Sequence, residues 1–486
     1  MTLPAPIIPL SEVALIDEAA AALGQDIGTL MERAGTVLAE EVMARMKPDG
    51  RALVVTGPGN NGGDGWVAAR ILAQAGVCVA VWPVIPPRTP LAQAAADRAA
   101  GITTTDRPED FSATIIVDAI LGAGANGKPR GAVADALRRL KALGIPSVAA
   151  DVPTGLGSDL LLNNCFTVCF QVAKAELLLD ERIGDFKTVD IGIEPSAYQE
   201  IHPNIMRLFP PLDANGHKGQ HGELLVIGGG AFPGALHLAT TAALRTGCDQ
   251  VRAFTADGPA LPPSIITHRQ QGRSLAPTAD EILSPLIARA NAVLIGPGLG
   301  RDPGSPEASQ QAFSLATEME VPVVIDADGI AACASALRAL PVGPVPVIIT
   351  PHRGEARNLL NAEPNETHIH AFARPDRVIL LKNRIDFISN GRRWVRNHHG
   401  NPRLAMGGSG DCLAGLTAGL LARGLTPFDA ARLAVYWLTT CADALWAESG
   451  PCYIPEDIIE RLPATLRSGL MAINAWPPIR DDQPAG

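Results

Sequence analysis

Aromatic residues make up only 4% of the 486-residue chain, and Lys and Arg (40) are outnumbered by Asp and Glu (50). A net charge of −10 offers no general attraction for a polyanion, so broad nucleic-acid binding is not expected. Small anionic ligands are not excluded, because helix N-termini and backbone N–H groups hold phosphates on acidic proteins too. The eight cysteines form no CxxC pair. Cys165 and Cys169 stand four apart with no second pair to complete a zinc set, so buried free thiols in a reducing compartment are expected. Long apolar runs are missing as well. The longest uncharged stretch, Leu224 to Leu244, is interrupted by glycines, Pro233 and His237, and no membrane span is expected. Residues 1–10 lack both a basic start and an apolar core, so no secretory leader is expected and a cytoplasmic location is. Glycine (48) and proline (41) are frequent but scattered without a period, which excludes collagen-like and low-complexity readings.

What is present is a globular composition, 47% hydrophobic and 19% charged, in which short β-branched runs alternate with helical patterns. The first series places strands at Ala52–Thr56, Val77–Val81, Thr114–Asp118, Ser147–Asp151, Cys165–Phe170 and Thr188–Ile193. Helices such as Trp66–Ala75 and Ala132–Leu143 lie between them, and a helix capped by Ser11 runs towards Met46. Residues 195–216 carry four prolines and no period, and read as a linker. The second series places strands at Glu223–Ile227, Gln250–Thr255, Ala292–Ile295, Pro322–Asp326, Pro346–Thr350, Arg377–Lys382, Ile385–Ser389 and Arg392–Val395. The last two are joined at Asn390-Gly391, a hairpin signal, and helices Gly410–Arg423 and Phe428–Ala447 follow. The expectation is an α/β chain with parallel sheets: one domain over 1–205, a second over 206–476 and a loose tail over 477–486.

In the first half, Gly57-Pro-Gly59-Asn-Asn-Gly62 fits GxGxxG between a strand and a helix. A nicotinamide dehydrogenase also needs an acid at the end of the second strand to hold the ribose, and Val77–Val81 instead runs into Trp82-Pro83. The glycine stretch therefore reads either as a tight turn with positive φ or as a backbone cradle for a ligand. Two further strands end in Asp118 and Asp151. With Asp64, three acids stand where a parallel sheet forms its ligand crevice. Oxygen-only donors there suit a hard cation.

In the second half, Gly407-Gly-Ser-Gly410-Asp411 opens a helix, which sets backbone N–H groups beside a carboxylate able to act as a base. Gly296-Pro-Gly298-Leu-Gly300, Asp326-Ala-Asp328-Gly329 and Thr350-Pro-His352-Arg-Gly-Glu355 follow strands in the same way. His352 reads as a ligand contact or as a turn histidine. His398-His399 reads as loop.

Four segments of the first half, GPGNNGGDGWVAAR (57–70), VDAILGAGANGKPRG (117–131), DVPTG (151–155) and DIGI (190–193), resemble the NAD(P)H-hydrate epimerase domain. The resemblance implies a Rossmann-like fold. It places potassium on Asn61, Asp118 and Thr154, and the dinucleotide hydrate against Asn60, Asn61, Gly62, Gly63, Asp64, Gly122, Ala123, Gly124, Ala125, Asn126, Gly127 and Lys128. Asp151 becomes the catalytic acid–base group, and Lys174 matches a family lysine. After Asp159 this chain is shorter than the family pattern. In the second half, HKGQHGELLVIGGG (217–230), LIGPGLGRD (294–302), TPHRGEARNLL (350–360) and GNPRLAMGGSGDCLAGLTAGLLARGLTPFDAA (400–431) resemble the ADP/ATP-dependent NAD(P)H-hydrate dehydratase, with its ribokinase-like fold. That resemblance makes Asp411 the catalytic base and gives phosphate contacts to Gly408, Ser409 and Gly410. Ala253, Gly298 and His352 would meet the hydrate. The nucleotide phosphates would meet Lys382, Asn383, Arg384, Ile385 and Asp386, which stand where the family has Lys-Gly-Ala-x-Thr. Arg384 is expected to take over phosphate binding while Asp386 turns away or orients it.

Together the two resemblances imply metabolite repair. Hydrated NADH and NADPH (NADHX and NADPHX) would be epimerised in the first domain and dehydrated in the second, with potassium, ADP or ATP, Mg2+ and a homo-oligomer as expected accompaniments. A ribokinase-like small-molecule kinase and a non-catalytic dinucleotide-binding regulator are the rival readings.

Overall fold

The computed structural model describes residues 3–125, 127–162 and 165–480. They form two compact units, Ala5–Tyr198 and the chain from Gln199 onward together with Leu3 and Pro4.

The first unit is built on a seven-stranded sheet. Across it the order is Thr103–Thr104, Cys78–Pro83, Arg51–Thr56, Ile115–Ala119, Ser147–Ala150, Cys165–Phe170 and Phe186–Val189, with every neighbouring pair parallel. The strands are apolar on both faces because both faces are covered. Ala52, Val54 and Val117 pack under Leu38, Val42 and Val67, and Leu53, Val55 and Ile116 pack under Leu137 and Leu140. Strand order reverses between Arg51–Thr56 and Ile115–Ala119, so a crevice opens beyond their C-terminal ends. This is a Rossmann-like arrangement.

The helix after the first strand spans Asn60–Gln74 and begins six residues earlier than the sequence suggests. The glycine stretch is therefore its first turn, and none of its glycines has a positive φ. They are glycine for close approach: a Cβ on Gly57 would lie 1.9 Å from the Ile120 carbonyl oxygen, and one on Gly62 would lie 2.1 Å from that of Gly57. At the N-terminus, Ser11 sits inside the short turn Leu10–Glu12 and caps nothing. The chain breaks after Val13–Ala22, and Asp26 caps the next helix, Ile27–Arg45, by accepting from the N–H groups of Gly28 and Thr29.

The second unit holds a nine-stranded sheet in the order Ile265–Arg269, Gln250–Thr255, Glu223–Ile227, Ala292–Ile295, Val323–Ile325, Val347–Ile349, Arg377–Leu381, Asp386–Ser389 and Trp394–Asn397. All pairs are parallel except the last two, of which the final one, Asp386–Ser389 with Trp394–Asn397, is the expected hairpin at Asn390-Gly391. One face is covered by helices Pro233–Leu244, Ser409–Ala422 and Pro427–Ser449, the other by Ser305–Glu318 and Asp328–Ala339, a ribokinase-like layering. The edge strand Ile265–Arg269 is one the sequence pattern does not reveal. Its polar Thr267, His268 and Arg269 follow only two apolar residues.

Residues 195–216 are not a loose linker. Ile201, Ile205, Met206 and Phe209 are buried in the second unit's core, and Phe209 packs edge-on against Trp437 at 5.7 Å. The prolines start short helical turns there, such as Pro203–Leu208. Of the segment expected to be a tail, Ile479–Arg480 pairs with Leu212–Asp213, and residues 481–486 lie outside the described part. Of the seven described cysteine thiols, all free, Cys78 and Cys452 are exposed rather than buried. No described helix is long and apolar enough to cross a membrane.

Candidate active sites

The crevice of the first unit holds a cavity of about 460 Å³. Asp151 lines it from the end of Ser147–Ala150, with φ at 60°, a conformation that costs a non-glycine residue about 1 kcal/mol. The surroundings hold it there. Its backbone N–H donates to the Val168 carbonyl at 2.8 Å, and its Oδ1 accepts from the Phe170 N–H at 3.2 Å and from the Lys174 ammonium. Lys174 is 2% exposed and also donates to the Phe170 carbonyl at 2.7 Å. Burial alone would lower the Lys174 pKa; Asp151 and, after it, Cys169 together more than reverse this and hold the ammonium above its ordinary value.

Asp118 and Thr154 come together as expected. The Thr154 hydroxyl donates to Asp118 Oδ1 at 2.6 Å and its N–H to Oδ2 at 2.8 Å. Burial pushes Asp118 up despite these bonds. Asn61 lies against the Gly122 loop, 3.0 Å from where a Gly122 Cβ would stand, and both its amide atoms are buried without a hydrogen-bond partner among the described residues. An oxygen ligand set with an unsatisfied amide oxygen fits a monovalent cation or a polar ligand group.

Asn60, Asn61 and Asp64 line the cavity, as do Gly122, Ala123, Gly124 and Ala125. Gly62 and Gly63 do not; their missing side chains admit the Gly57 carbonyl and Met31. Gly127 and Lys128 are exposed and absent from the lining, and Asn126 falls outside the described residues. Sequence reasoning missed Asp17, which reaches the cavity from the helix Val13–Ala22. It also missed the apolar walls Leu30, Met31, Ile191 and Ile193. The one signal for Asp17 is an acidic pair, Asp17-Glu18, within an alanine-rich, otherwise apolar stretch.

In the second unit Asp411 sits in the first turn of Ser409–Ala422, behind Gly408 at φ 97°. Burial, then the neighbouring Asp326 carboxylate, push it from 3.8 up to about 7, against the pull of Lys382. Lys382 Nζ donates to Asp326 Oδ1 at 2.7 Å and would be 3.3 Å from a Gly410 Cβ, so the ammonium stands at the helix start. Burial lowers the Lys382 pKa, and Asp326, Glu355 and Asp411 more than reverse that. Asp326, 1% exposed, is also held by the Thr350 hydroxyl at 2.8 Å.

Other expected contacts are placed differently. The Ser409 hydroxyl is spent on the Leu404 and Met406 carbonyls, leaving backbone N–H groups as the anion donors there. His352 caps Arg353–Leu360: its Nδ1 accepts from the N–H groups of Gly354 (2.9 Å) and Glu355 (3.2 Å), while Glu355 Oε2 accepts from the His352 N–H at 2.9 Å. Its ring is 61% exposed, with Nε2 3.4 Å from Glu355 Oε1. Gly298, at φ 70°, accepts from the Phe232 N–H at 3.1 Å. Ala253 is fully buried in the apolar core, where contact with a ligand requires the core to open.

The altered loop is resolved by Asp386. Its Oδ1 accepts from the Asn383 N–H at 3.0 Å and its Oδ2 from Asn397 Nδ2 at 3.1 Å, so the carboxylate faces inward and closes its own turn. Burial raises it to about 6. Asn383, Arg384 and Ile385 are exposed, and Arg384 makes no hydrogen bond or ion pair among the described residues.

Residues 28–175 match the family described as YjeF-related protein N-terminus, and residues 224–464 match that described as NAD(P)H-hydrate dehydratase. The bifunctional NAD(P)H-hydrate repair enzyme Nnr of Hyperthermus butylicus is 34% identical, over 96% of this chain and 93% of its own. That of Pyrobaculum aerophilum is 35% identical over 94% and 97%. Among solved structures, the ADP/ATP-dependent NAD(P)H-hydrate dehydratase of Bacillus subtilis, co-crystallised with ATP and Mg2+, aligns at 27% identity with a TM-score of 0.47. It covers 56% of this chain and 99% of that one. With both halves matched in order and its relatives aligned along nearly their whole length, the chain belongs to the family of bifunctional NAD(P)H-hydrate repair enzymes.

Proposed function

We propose that this chain restores hydrated NADH and NADPH, interconverting the R and S hydrates in the first unit and dehydrating the S hydrate in the second at the expense of ADP or ATP. The observation that carries the reading is the presence in one chain of two separately equipped acid–base centres. One is Asp151, paired with Lys174 in the first cavity; the other is Asp411, at a helix start, tuned to about 7.

In the first unit the apolar walls take the nicotinamide ring, and Asp151, paired with Lys174, moves protons at the hydroxylated ring carbon. Asn61, Asp118 and Thr154 would hold potassium. When bound, the ion supplies a fixed positive charge beside the crevice, which suits an anionic dinucleotide. One carboxylate among neutral oxygens carries too little charge for a good divalent site.

In the second unit Asp411 accepts the proton of the hydrate's hydroxyl as that oxygen takes the phosphoryl group. With a pKa near neutrality it is both a competent base and readily reset. Phosphate then departs with the C–O bond pair, the adjacent ring carbon gives up a proton, and the ring double bond returns. The N–H groups at the start of Ser409–Ala422, together with Lys382 and the free Arg384 guanidinium, meet the phosphates; positioning and charge carry most of such a transfer. Mg2+ accompanying the nucleotide would share that charge.

The test is to incubate S hydrate with the protein in the absence of nucleotide and separate the isomers. Appearance of R hydrate, followed by regeneration of the dihydronicotinamide only after ADP or ATP is added, supports the reading. Phosphorylation of unrelated alcohols with no action on either hydrate supports the kinase instead.

A further inference from the structure

We propose that Asp17 is the second acid–base group of the epimerisation: it gives the proton with which the ring hydroxyl leaves, while the Asp151 carboxylate receives the proton of the water that replaces it. This rests on the epimerase reading above. The cavity lining contains four ionisable side chains, Asp17, Asp64, Asp151 and Lys174, among walls that are mostly Ile, Leu, Val, Met, Ala and Gly. Three carboxylates against one ammonium would leave a net charge of −2 in an apolar enclosure, a cost that proteins avoid by protonation. Lys174 is committed to Asp151 through an ion pair and a hydrogen bond. Asp17 and Asp64 have no hydrogen-bond or ion-pair partner among the described residues, so they are the carboxylates of this lining left to take up a proton.

Access separates these two. Asp64 is 9% exposed, set in the first turn of Asn60–Gln74. Asp17 stands on Val13–Ala22 with its side chain both lining the cavity and open to water, so it can be reprotonated between turnovers. The charged groups facing it are Glu18 on its own helix, Asp64 on Asn60–Gln74, Asp151 after Ser147–Ala150, and Lys174. The loss of water on its cavity side first and Asp151 next raise Asp17 to about 6, with Lys174 opposing, which suits a carboxyl that must hold a proton and release it.

The step balances without a further reactant. The Asp17 proton passes to the hydroxyl, the C–O bond breaks with its electron pair leaving as water, and the ring nitrogen lone pair forms a C=N bond. Water then adds to the same carbon from the other face and gives its proton to Asp151. Solvent carries that proton back to Asp17.

The experiment follows epimerisation of S hydrate by the full chain without nucleotide, as a function of pH, in wild type, Asp17→Asn and Asp17→Glu, with circular dichroism as the folding check. In wild type kcat/KM is expected to fall as pH rises through about 6, because the acid is lost. Asp17→Asn is expected to slow epimerisation about 10²-fold and to lack that alkaline limb, while Asp17→Glu keeps the limb and part of the rate. In heavy-oxygen water each inversion by wild type should add one labelled oxygen. An Asp17→Asn variant that works at the wild-type rate, or is slowed with its limb intact, overturns the proposal alone. A wild-type protein that leaves S hydrate unchanged overturns the epimerase reading on which it stands.

Discussion

Asp411 owes its position near pH 7 to opposed neighbours, and removing them one at a time should move it in opposite directions. A rise from 3.8 to about 7 corresponds to about 4 kcal/mol against the charged form, at about 1.36 kcal/mol per unit. Burial is the largest cause, Asp326 adds to it and Lys382 subtracts. In Asp326→Asn a like charge disappears and the Lys382 ammonium, freed from its 2.7 Å partner, has only Glu355 and Asp411 to answer. The Asp411 pKa should drop by on the order of one unit. In Lys382→Met the attraction is lost and Asp326 is left unshared, so it should climb by a similar amount. The assay is kcat/KM for dehydration of S hydrate against pH at saturating nucleotide. The base is lost below its pKa, so the wild-type acid limb is expected near 7, that of Asp326→Asn lower and that of Lys382→Met higher. Plateau heights will change in both, since Lys382 is also proposed to meet phosphate and Asp326 also holds Thr350; the position of the limb is the readout. Limbs that stay together in all three proteins would refute the assignment of Asp411 as the base.

Asp411→Asn should cut dehydration about 10²–10⁴-fold while S-to-R conversion in the first unit continues, checked by running both assays on one preparation. Lys174→Met leaves Asp151 buried without its cation and should destabilise the first unit by about 3–5 kcal/mol in denaturant titrations. Arg384→Ala should weaken ADP and ATP binding about tenfold, roughly 1.4 kcal/mol, by calorimetry, and Asp386→Asn should leave it unchanged because that carboxylate faces Asn383 and Asn397. Replacing potassium by a bulky organic cation should slow epimerisation, and Asn61→Ala should raise the potassium concentration needed for half-maximal rate.

The strands of both sheets were legible because they are buried on two faces and read as unbroken β-branched runs; Glu223–Ile227, Gln250–Thr255 and Ala292–Ile295 coincide with their expected bounds. Edges were not. Thr103–Thr104 and Ile265–Arg269 pair on one side only and carry little apolar signal, none in the first and two residues in the second. Residues 195–216 looked like a linker since prolines hide the period, although Ile205, Met206 and Phe209 were apolar enough to mark a core. The carboxylates at strand ends were recognisable, as parallel sheets place ligands there, and Asp151, Asp118 and Asp64 all gather near the crevice of the first unit. Asp17 was not, because nothing local distinguishes a cavity-lining carboxylate from a solvated one on an N-terminal helix. His352 read as a ligand contact or as a turn histidine, and the structure shows its Nδ1 capping Arg353–Leu360 while the ring stays largely exposed.

The central claim is that two complementary activities sit on one chain, and the most direct test supplies pure R hydrate with ADP or ATP and follows the return of dihydronicotinamide absorbance. The second unit alone acts on the S form, so full recovery requires the first unit to feed it. The account expects complete recovery by wild type. It expects recovery by Asp151→Asn no faster than R hydrate epimerises in buffer, and restoration of the full rate when that variant is mixed with Asp411→Asn. Recovery from R hydrate at the wild-type rate by Asp151→Asn alone, or none by wild type with either nucleotide, would contradict it.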